Sequence, residues 1–365
     1  MLTLEKIVVQ DFRNIELQEL EFSPNVNCIW GNNGEGKTNL MDAIHYISMT
    51  KSAFGSADRF NFRYGTSSFS IAGTYMMPSD IRSVFTIRVD DGAEKKLRRD
   101  GKPYTRISDH IGVLPVVMVS PSDIALVSES GEERRRFVNS VLSQLDREYL
   151  AAMQQYNRIL MQRNRLLKEG VADDALLSVF DVQLSSLATP IWERRARFVS
   201  ELAPVVEKYY AALSSSRERV SISYRSDLER GPLIDALAGR RERDKALKYT
   251  TAGVQRDDFI FEMEGYPIRR CGSQGQQKSF LVSLKFAQYE VMKQRYGYPP
   301  ILLLDDLFDK LDINRVSNLL RMVSGSDFGQ IFISDTDRGR ISGIVDSLTE
   351  DSAFFETAGG QFRRQ

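Results

Sequence analysis

The sequence is poor in cysteine and histidine, with two of each among 365 residues. Two cysteines cannot form a disulfide framework, and so few thiols and imidazoles exclude a cysteine–histidine metal cluster. Cys28 lies inside an apolar run, where we expect it to pack as a small hydrophobic residue.

Long hydrophobic runs are also missing. No uninterrupted apolar stretch approaches the roughly 18 residues that a membrane-spanning helix needs. The opening residues MLTLEKIVVQDF lack the basic start and the small-residue cleavage site of a signal peptide. We expect a soluble, cytoplasmic protein.

Net charge is absent as well, because 49 basic side chains balance 49 acidic ones. This balance excludes a general polycation that coats nucleic acid, but it does not exclude a local basic surface. The hydrophobic share of 42% is ordinary for a globular protein, so we expect a sizeable core.

The most informative stretch that is present is GNNGEGKTN, residues 31–39, which matches the pattern G-x-x-x-x-G-K-[ST]. It follows an apolar run and precedes a helical pattern, which is the strand–loop–helix context that a phosphate-binding loop requires. Glycines allow backbone N–H groups to turn inward, and the start of the helix favours negative charge. Lys37 is predicted to reach the terminal phosphates and Thr38 to hold Mg²⁺. The predicted nucleotide contacts are Gly31, Asn32, Asn33, Gly34, Glu35, Gly36, Lys37, Thr38 and Asn39.

A second element, PPILLLDDLFDKLD, begins at Pro299. Residues 301–304 read as a short buried strand, and ligands of open α/β sheets bind beyond the carboxyl ends of such strands. Asp305 is placed to hold Mg²⁺, and Asp306 to polarise an attacking water.

A third element is RRCGSQGQQKSF, in which Ser273, Gly275 and Gln276 lie at the predicted start of a helix. Its open N–H groups make a second anion-binding end. Taken alone, this stretch is equally consistent with an ordinary serine-capped helix.

Together these elements resemble the phosphate loop, magnesium strand and signature of the ATP-binding-cassette ATPases, with DKLD as the D-loop that ends at Asp312. The resemblance implies that the signature of one subunit closes over the ATP held by another. Each ATPase site would then be shared across a homodimer.

The layout is similar to that of the SMC and RecF group, in which the two halves of the head are separated by an insert. That group begins with a strand ending in a phenylalanine–arginine–asparagine turn, here at Phe12. The resemblance implies that Arg13 and Asn14 approach the nucleotide; a polar hairpin turn is the alternative. The implied fold is an α/β ABC-ATPase head of SMC/RecF type, built from residues 1–120 and 251–365, with a mainly helical lobe at 121–250.

Steps of three and four between apolar residues from Tyr149 to Leu202 predict two amphipathic helices packed as an antiparallel pair. Pro190 and Pro204 are expected to interrupt or begin helices. This helix pair is too short for an SMC coiled coil and lacks a Cys-x-x-Cys hook. This favours the RecF family, which the stretches SPSDIALVSESGEERRRF and GVQRDD also resemble.

Two positions differ from related sequences, one from the RecF family and one from the transporter ATPases of the same class. Gln255 stands where the family usually has histidine, so no role that needs an imidazole is carried over. Asp335 occupies the position of the switch histidine of transporter ATPases, and a γ-phosphate-sensing role is not assigned to it.

RecF-like proteins are implied to dimerise on ATP, to bind DNA at gaps or single-strand/double-strand junctions, and to help RecO and RecR load RecA in repair, recombination and the SOS response. Slow hydrolysis would reset the clamp, with ATP and Mg²⁺ as cofactors. The alternative is a soluble ABC-type ATPase that remodels a protein partner without binding DNA.

Basic clusters are candidates for DNA contact. KKLRRDGKP reads as a hairpin with Asp100–Gly101 at its turn, and ERRRF lies at a helix start. GRRERDK is a third cluster. Aromatic interleaving is not evident, so contact with the duplex backbone is favoured over base stacking. The predicted DNA contacts are Lys95, Lys96, Arg98, Arg99, Lys102, Arg134, Arg135 and Arg136.

Overall fold

The computed structural model describes residues 1–55, 57–92, 94–129, 131–170, 173–214, 217–306, 328–345 and 351–365. The strands are β1 Thr3–Phe12, β2 Ile15–Glu21, β3 Val26–Trp30, β4 Ser68–Met76, β5 Arg82–Asp90, β6 Lys96–Arg99, β7 Lys102–Pro103, β8 Val116–Val119, β9 Val220–Arg225, β10 Asp258–Met263, β11 Tyr266–Pro267, β12 Ile301–Leu304, β13 Ile331–Asp335, β14 Ser352–Ala358 and β15 Gln361–Arg364.

The α-helices described are α1 Lys37–Met49, α2 Ala125–Ser128, α3 Gly131–Leu145, α4 Arg147–Glu169, α5 Asp174–Ser214, α6 Leu233–Gly239, α7 Arg241–Leu247, α8 Ile268–Cys271, α9 Gln274–Tyr296 and α10 Arg338–Val345. Short 3₁₀ turns lie between several of the helices and strands; Asp58–Phe60 precedes β4 and Val254–Arg256 precedes β10.

The chain divides into two compact units. The head unit comprises Met1–Ile124, Ala212–Ser216 and Gln274–Gln365; the lobe unit comprises Ala125–Ala211 and Arg217–Ser273. Residues 251–273 thus fall in the lobe unit, whereas the sequence assigned them to the head. The reason is pairing: β10 is antiparallel to β9 along its whole length, so this segment completes the lobe's own sheet.

The head unit contains two six-stranded sheets. One is antiparallel, in the order β2-β1-β4-β5-β6-β7. In the other, of order β15-β14-β3-β13-β12-β8, all neighbours pair in parallel except the edge pair β14–β15. Strands β3, β8, β12 and β13 are short and almost wholly buried, as expected for parallel strands covered on both faces. Helix α1 packs on strands of both sheets, and its apolar side chains join one shared core.

In the lobe unit, the predicted helix pair is observed as α4 and α5. Arg163 of α4 contacts Asp181 of α5, and Glu148 contacts Arg194, so the two helices run antiparallel. The Arg163 side chain is fully buried and also bonds to Asp244 at 2.8 Å. Removing one member of such a buried pair leaves an uncompensated charge, which is strongly destabilising.

The prediction that prolines interrupt the second helix was wrong, because α5 continues through both Pro190 and Pro204. Each proline removes one hydrogen bond from the helix. Buried neighbours on the same helix, Ile191 and Val206, stabilise the continuous form through packing.

Helix α5 is the one helix among the described residues that is long and apolar enough, by length and composition, to cross a membrane. This is weak evidence, because core helices of soluble proteins pass the same test. Asp181 lies within α5 and is ion-paired to both Arg163 and Arg241. These pairs bind the helix to its protein neighbours.

Candidate functional site

The phosphate-loop sequence has the predicted strand–loop–helix setting, between β3 and α1. Gly36 has φ +110°, a conformation that side chains disfavour, and α1 begins at the next residue. The buried Lys37 ammonium donates to the carbonyl of Gly31 at 2.7 Å and to that of Asn32 at 3.1 Å. Lys37 therefore spans the loop and holds its two ends together.

The other loop residues differ in exposure. Gly31 is buried, Asn32, Asn33 and Gly34 are exposed, and Glu35 is half-buried. This leaves the tip of the loop open to solvent, as a phosphate-binding loop requires.

The two predicted magnesium ligands meet, although 267 positions separate them in the chain. The Thr38 hydroxyl donates to the Asp305 carboxylate, at 2.9 Å from Oδ2 and 3.1 Å from Oδ1. Asp305 directly follows β12, which is separated from β3 by β13 alone. The carboxyl ends of these parallel strands therefore bring Asp305 to the start of α1, as the sequence predicted.

Ser334, at the end of β13, completes this group. Its hydroxyl donates to Asp305 Oδ1 at 2.6 Å, and the Asp306 backbone N–H donates to the Ser334 oxygen at 3.0 Å. Sequence reasoning did not assign this role to Ser334. A hydroxyl at the end of the adjacent parallel strand was the available signal.

The surroundings of Asp305 change the pKa of its carboxyl and favour a bound cation. Burial raises the pKa of Asp305 to about 6; the hydrogen bonds from Ser334 and Thr38 oppose the shift, the charge of Asp306 adds to it, and Lys37 opposes it. An ionised carboxylate that is 1% exposed is costly. A cation held by Asp305 and Thr38 would offset that cost, and an all-oxygen pair is the donor chemistry that suits Mg²⁺.

Asp306 lies beside this group in a strained backbone conformation, with φ +42°. Non-glycine residues adopt that region rarely, and such strain is concentrated at functional sites. The carboxylate of Asp335, at the end of β13, accepts the backbone N–H of Asp337 at 2.9 Å. Asp335 therefore shapes the turn that leads into α10.

Arg13 and Asn14 form the two-residue turn between β1 and β2, where Phe12 pairs with Ile15. The Arg13 guanidinium forms a 2.7 Å ion pair with Asp42, a fully buried residue of α1. Burial raises the pKa of Asp42, and the Arg13 charge opposes the shift. Arg13 thus anchors the helix that follows the phosphate loop, a role that sequence reasoning did not assign.

The neighbouring residue Asn14 contacts the phosphate loop more directly. Its side-chain oxygen accepts from Asn39 Nδ2 at 2.7 Å. A Cβ on Gly36 would lie 2.9 Å from the Asn14 amide, so the turn packs closely on the loop. The prediction that Arg13 and Asn14 reach the nucleotide stays a prediction.

The signature residues occupy the predicted helix start, because α9 begins at Gln274 directly after the exposed Ser273. Gly275 and Gln276 lie in the first turn and are half-buried. Asp312 of the predicted D-loop lies outside the described residues.

In the lobe unit, side chains of the GVQRDD stretch contact residues that are distant in the sequence. The Gln255 side-chain oxygen accepts a hydrogen bond from the Tyr156 hydroxyl at 2.5 Å. The Asp257 carboxylate forms an ion pair with the buried Arg195 guanidinium at 2.6 Å, and Asp258 forms one with Arg134 at 3.0 Å. An uncharged amide at position 255 is therefore compatible with a structural role.

Two predicted DNA contacts need correction. Arg134 is 6% exposed and its guanidinium bonds to Asp258 and to the Glu129 carbonyl. Lys95 bonds to the Thr50 carbonyl and to Asp58 within the head unit. Because these charged ends are held inside their units, they are poorly placed to contact DNA.

The remaining basic residues of the hairpin are exposed. Arg98 pairs with Pro103 and Arg99 with Lys102 in the sheet, which leaves Asp100–Gly101 as the predicted two-residue turn. Lys96 and Arg98 are on the face opposite the buried Leu97, with Arg88 directly across from Lys96. Arg99 stacks over Phe85 instead.

The basic residues of the GRRERDK and ERRRF clusters are largely engaged in ion pairs and hydrogen bonds. Arg240 and Arg241 of GRRERDK pair with Asp227 and Asp181. At the start of α3, Arg135 donates to the Asp257 carbonyl, and the exposed Arg136 pairs with Glu133.

Comparison with known proteins gives consistent matches. The family described as RecF/RecN/SMC N terminal domain matches residues 3–349. The DNA replication and repair protein RecF of Porphyromonas gingivalis is 43% identical over 359 residues, covering 98% of this chain and 99% of the relative. RecF of Phocaeicola vulgatus is 40% identical over 360 residues, covering 98% and 97%.

Solved structures agree with this assignment. The structure of the recombination mediator protein RecF-ATP in the RecFOR pathway superposes with a TM-score of 0.90 at 28% identity, covering 100% of this chain and 98% of that one. The Smc head domain derived from Pyrococcus furiosus, with a TM-score of 0.59 at 15% identity over 100% and 96% of the two chains, shares the fold. The chain therefore belongs to the RecF family within the RecF/RecN/SMC group, and it is an α/β ABC-type ATPase of that group.

Proposed function

We propose that this protein binds ATP with Mg²⁺ at the phosphate loop and uses the nucleotide to control binding to DNA during replication, repair and recombination. The observation that carries the proposal is the 2.9 Å contact between Thr38 and Asp305 at the end of a loop spanned by Lys37. The relatives named as DNA replication and repair proteins, and the relative solved as RecF-ATP, support it.

Each residue has a role that its position suits. Loop N–H groups and the start of α1 bind the phosphates, and Lys37 exchanges its two carbonyl partners for phosphate oxygens. Thr38 and Asp305 would hold Mg²⁺, which supplies charge neutralisation at the phosphates. Ser334 fixes the orientation of the Asp305 carboxylate. Asp306 orients and polarises the attacking water.

ATP closes a homodimer in this proposal, because Ser273 and the first turn of α9 in one subunit complete the site around the phosphates bound by the other. Closure is a population shift, since ATP makes more contacts in the dimer than in the monomer. Slow hydrolysis removes those contacts and reopens the dimer.

The exposed basic residues of the β5–β6–β7 edge are the proposed DNA contacts of the head unit. Lys96 is 62% exposed and Arg88 55% exposed, and Arg98 is exposed beside them. Asp90 pairs with both Arg88 and Lys96, so each monomer has modest phosphate affinity. Two such edges in a closed dimer would neutralise more phosphates at once, giving sequence-independent, salt-sensitive binding.

By family relationship, the DNA is proposed to be gapped or to carry a single-strand/double-strand junction, with RecO and RecR as partners in loading RecA. A solved relative is described within the RecFOR pathway, which supports this partnership. The cytoplasm is the proposed location.

Fluorescence anisotropy with a labelled gapped duplex at fixed salt tests the proposal. The protein is titrated with ATP, without ATP, and as Lys37→Met with ATP. We expect tight binding in the first condition alone. A Lys96→Glu/Arg98→Glu variant should lose DNA binding while it still binds ATP. Arg158→Glu/Arg165→Glu, at two exposed positions of α4, is the control matched in charge.

ATP-dependent dimers that bind no DNA under any condition would refute the DNA role. That result would favour the alternative, a soluble ATPase that remodels a protein partner. Normal ATP turnover by Lys37→Met would refute the nucleotide site itself.

A further inference from the structure

The hairpin of β14 and β15 touches the phosphate loop. Ala358 pairs with Gln361, so Gly359 and Gly360 form a two-residue turn, with φ +57° and +80°. Two positive φ values are typical of a type I′ turn, which glycine accepts without strain. Strand β14 is the direct neighbour of β3, and this brings the turn beside residues 31–36.

Three hydrogen bonds from this hairpin converge on one residue of the loop, Glu35. The Thr357 hydroxyl donates to the Glu35 carbonyl at 3.0 Å, and the Gly360 N–H donates to the same oxygen at 2.9 Å. The Gly359 N–H donates to the Glu35 carboxylate. Thr357 lies 322 positions away in the sequence, so these bonds are purely tertiary.

The packing around these bonds leaves little freedom. A Cβ on Gly31 would lie 2.5 Å from the Thr357 carbonyl oxygen, and a Cβ on Gly360 would lie 2.3 Å from the Asn14 carbonyl oxygen. Both distances are shorter than real Cβ contacts, and both involve backbone atoms that cannot move aside cheaply. The hairpin, the loop and the Arg13–Asn14 turn therefore form one close-packed group.

The carboxylate of Glu35 is unexpected in a loop that binds anions, because a like charge near the phosphates would oppose their binding. Its bond to Gly359 directs the charge toward the hairpin. We propose that Glu35 is a positioning residue: the β14–β15 hairpin holds the phosphate loop in its binding conformation through Glu35, and keeps the carboxylate away from the phosphates. This inference rests on the proposed binding of ATP.

Direct measurement of ATP affinity by calorimetry in the full-length protein tests the role. Glu35→Ala removes the side-chain acceptor, and we expect about tenfold weaker ATP binding, the size of one hydrogen bond to a charged group. Glu35→Gln retains an oxygen acceptor and should recover most of the loss. Thr357→Val removes the second side-chain bond at nearly constant volume and should weaken binding by about threefold.

Glu356→Ala is the control on the same hairpin, since its carboxylate bonds to Gln365. In steady-state kinetics, Glu35→Ala should raise KM with kcat little changed. A variant that merely lost folded protein would instead lower kcat at constant KM. Amide exchange of residues 31–36 in the nucleotide-free protein should accelerate in Glu35→Ala, which reports the loop without any nucleotide.

Two results would overturn the positioning role while ATP binding stands. Equal affinity of wild type, Glu35→Ala and Glu35→Gln would mean that the hairpin contact does not shape the loop. Tighter ATP binding by both variants would mean that the carboxylate faces the phosphates. If wild-type protein bound no ATP, the proposed function and this inference would fall together.

Discussion

Replacing Asp305 with asparagine should make the nucleotide-free protein more stable while abolishing turnover. The pKa of this carboxyl rises from 3.8 to about 6 in the folded protein. A rise of about two units corresponds to ~3 kcal/mol at neutral pH, because folding there buries a charge that the unfolded chain keeps in water. Asparagine is nearly isosteric, and its amide can still bond to both Thr38 and Ser334.

The stability difference between the wild type and Asp305→Asn should depend on pH. A raised carboxyl pKa means that the folded state binds the proton more tightly, so the wild type is relatively most stable below the unfolded pKa and loses that stability as pH rises through about 6. The advantage of Asp305→Asn should therefore be ~3 kcal/mol at pH 7.5, about half that at pH 5, and small near pH 4.

Urea unfolding without Mg²⁺ or nucleotide is the appropriate assay. Because the chain has two compact units, Trp192→Phe should be placed in every background so that the fluorescence of Trp30 reports the head unit. Asp91→Asn, at an exposed position of the head unit, is the control for removing a negative charge. A gain that is absent at pH 7.5, or that does not change with pH, would refute the buried-charge argument.

Four further outcomes follow from the same site. Ser334→Ala removes the 2.6 Å bond that lowers the pKa of Asp305, so the acid limb of the ATPase pH profile should move to higher pH; an unmoved limb would exclude Asp305 as the titrating group. Asp306→Asn should bind ATP but hydrolyse it slowly and accumulate dimers in gel filtration, whereas rapid turnover would remove it from water activation. Ser273→Arg should bind ATP as a monomer, and ATP-dependent dimers in sedimentation would contradict a shared site. Gly360→Ala should be ~1–3 kcal/mol less stable than Gly101→Ala, because φ is +80° and +77° at the two sites but only Gly360 faces backbone within 4 Å; equal losses in urea unfolding would show that contact to be unimportant.

Local rules were sufficient to predict the setting of the loop and its contact with Asp305. The Gly–Lys–Thr spacing predicted the helix start at Lys37, and the rule that parallel strands present ligands at their carboxyl ends predicted the meeting of Thr38 and Asp305. Both depend on short segments whose conformation the sequence dictates almost independently of context.

The contacts that the sequence did not predict depend on strand order. Nothing local to Glu35 indicates that β14 lies beside β3, so the bonds from Thr357 and Gly360 could not be anticipated. In the same way, Arg134 reads as an exposed charge in ERRRF, but the approach of β10 buries it against Asp258. Propensity rules also overestimated the effect of Pro190, because packing outweighs one missing hydrogen bond.

The position of β3 in its sheet has a consequence for biosynthesis. This strand ends at Trp30 and is translated long before its two neighbours, β13 and β14, which begin at Ile331 and Ser352. At typical elongation rates the delay is on the order of tens of seconds. During that time a nascent chain carries an apolar strand with both edges open, which is a target for chaperones and a hazard for aggregation. If Glu35 has the proposed positioning role, the phosphate loop reaches its full affinity for ATP only after the β14–β15 hairpin has been made.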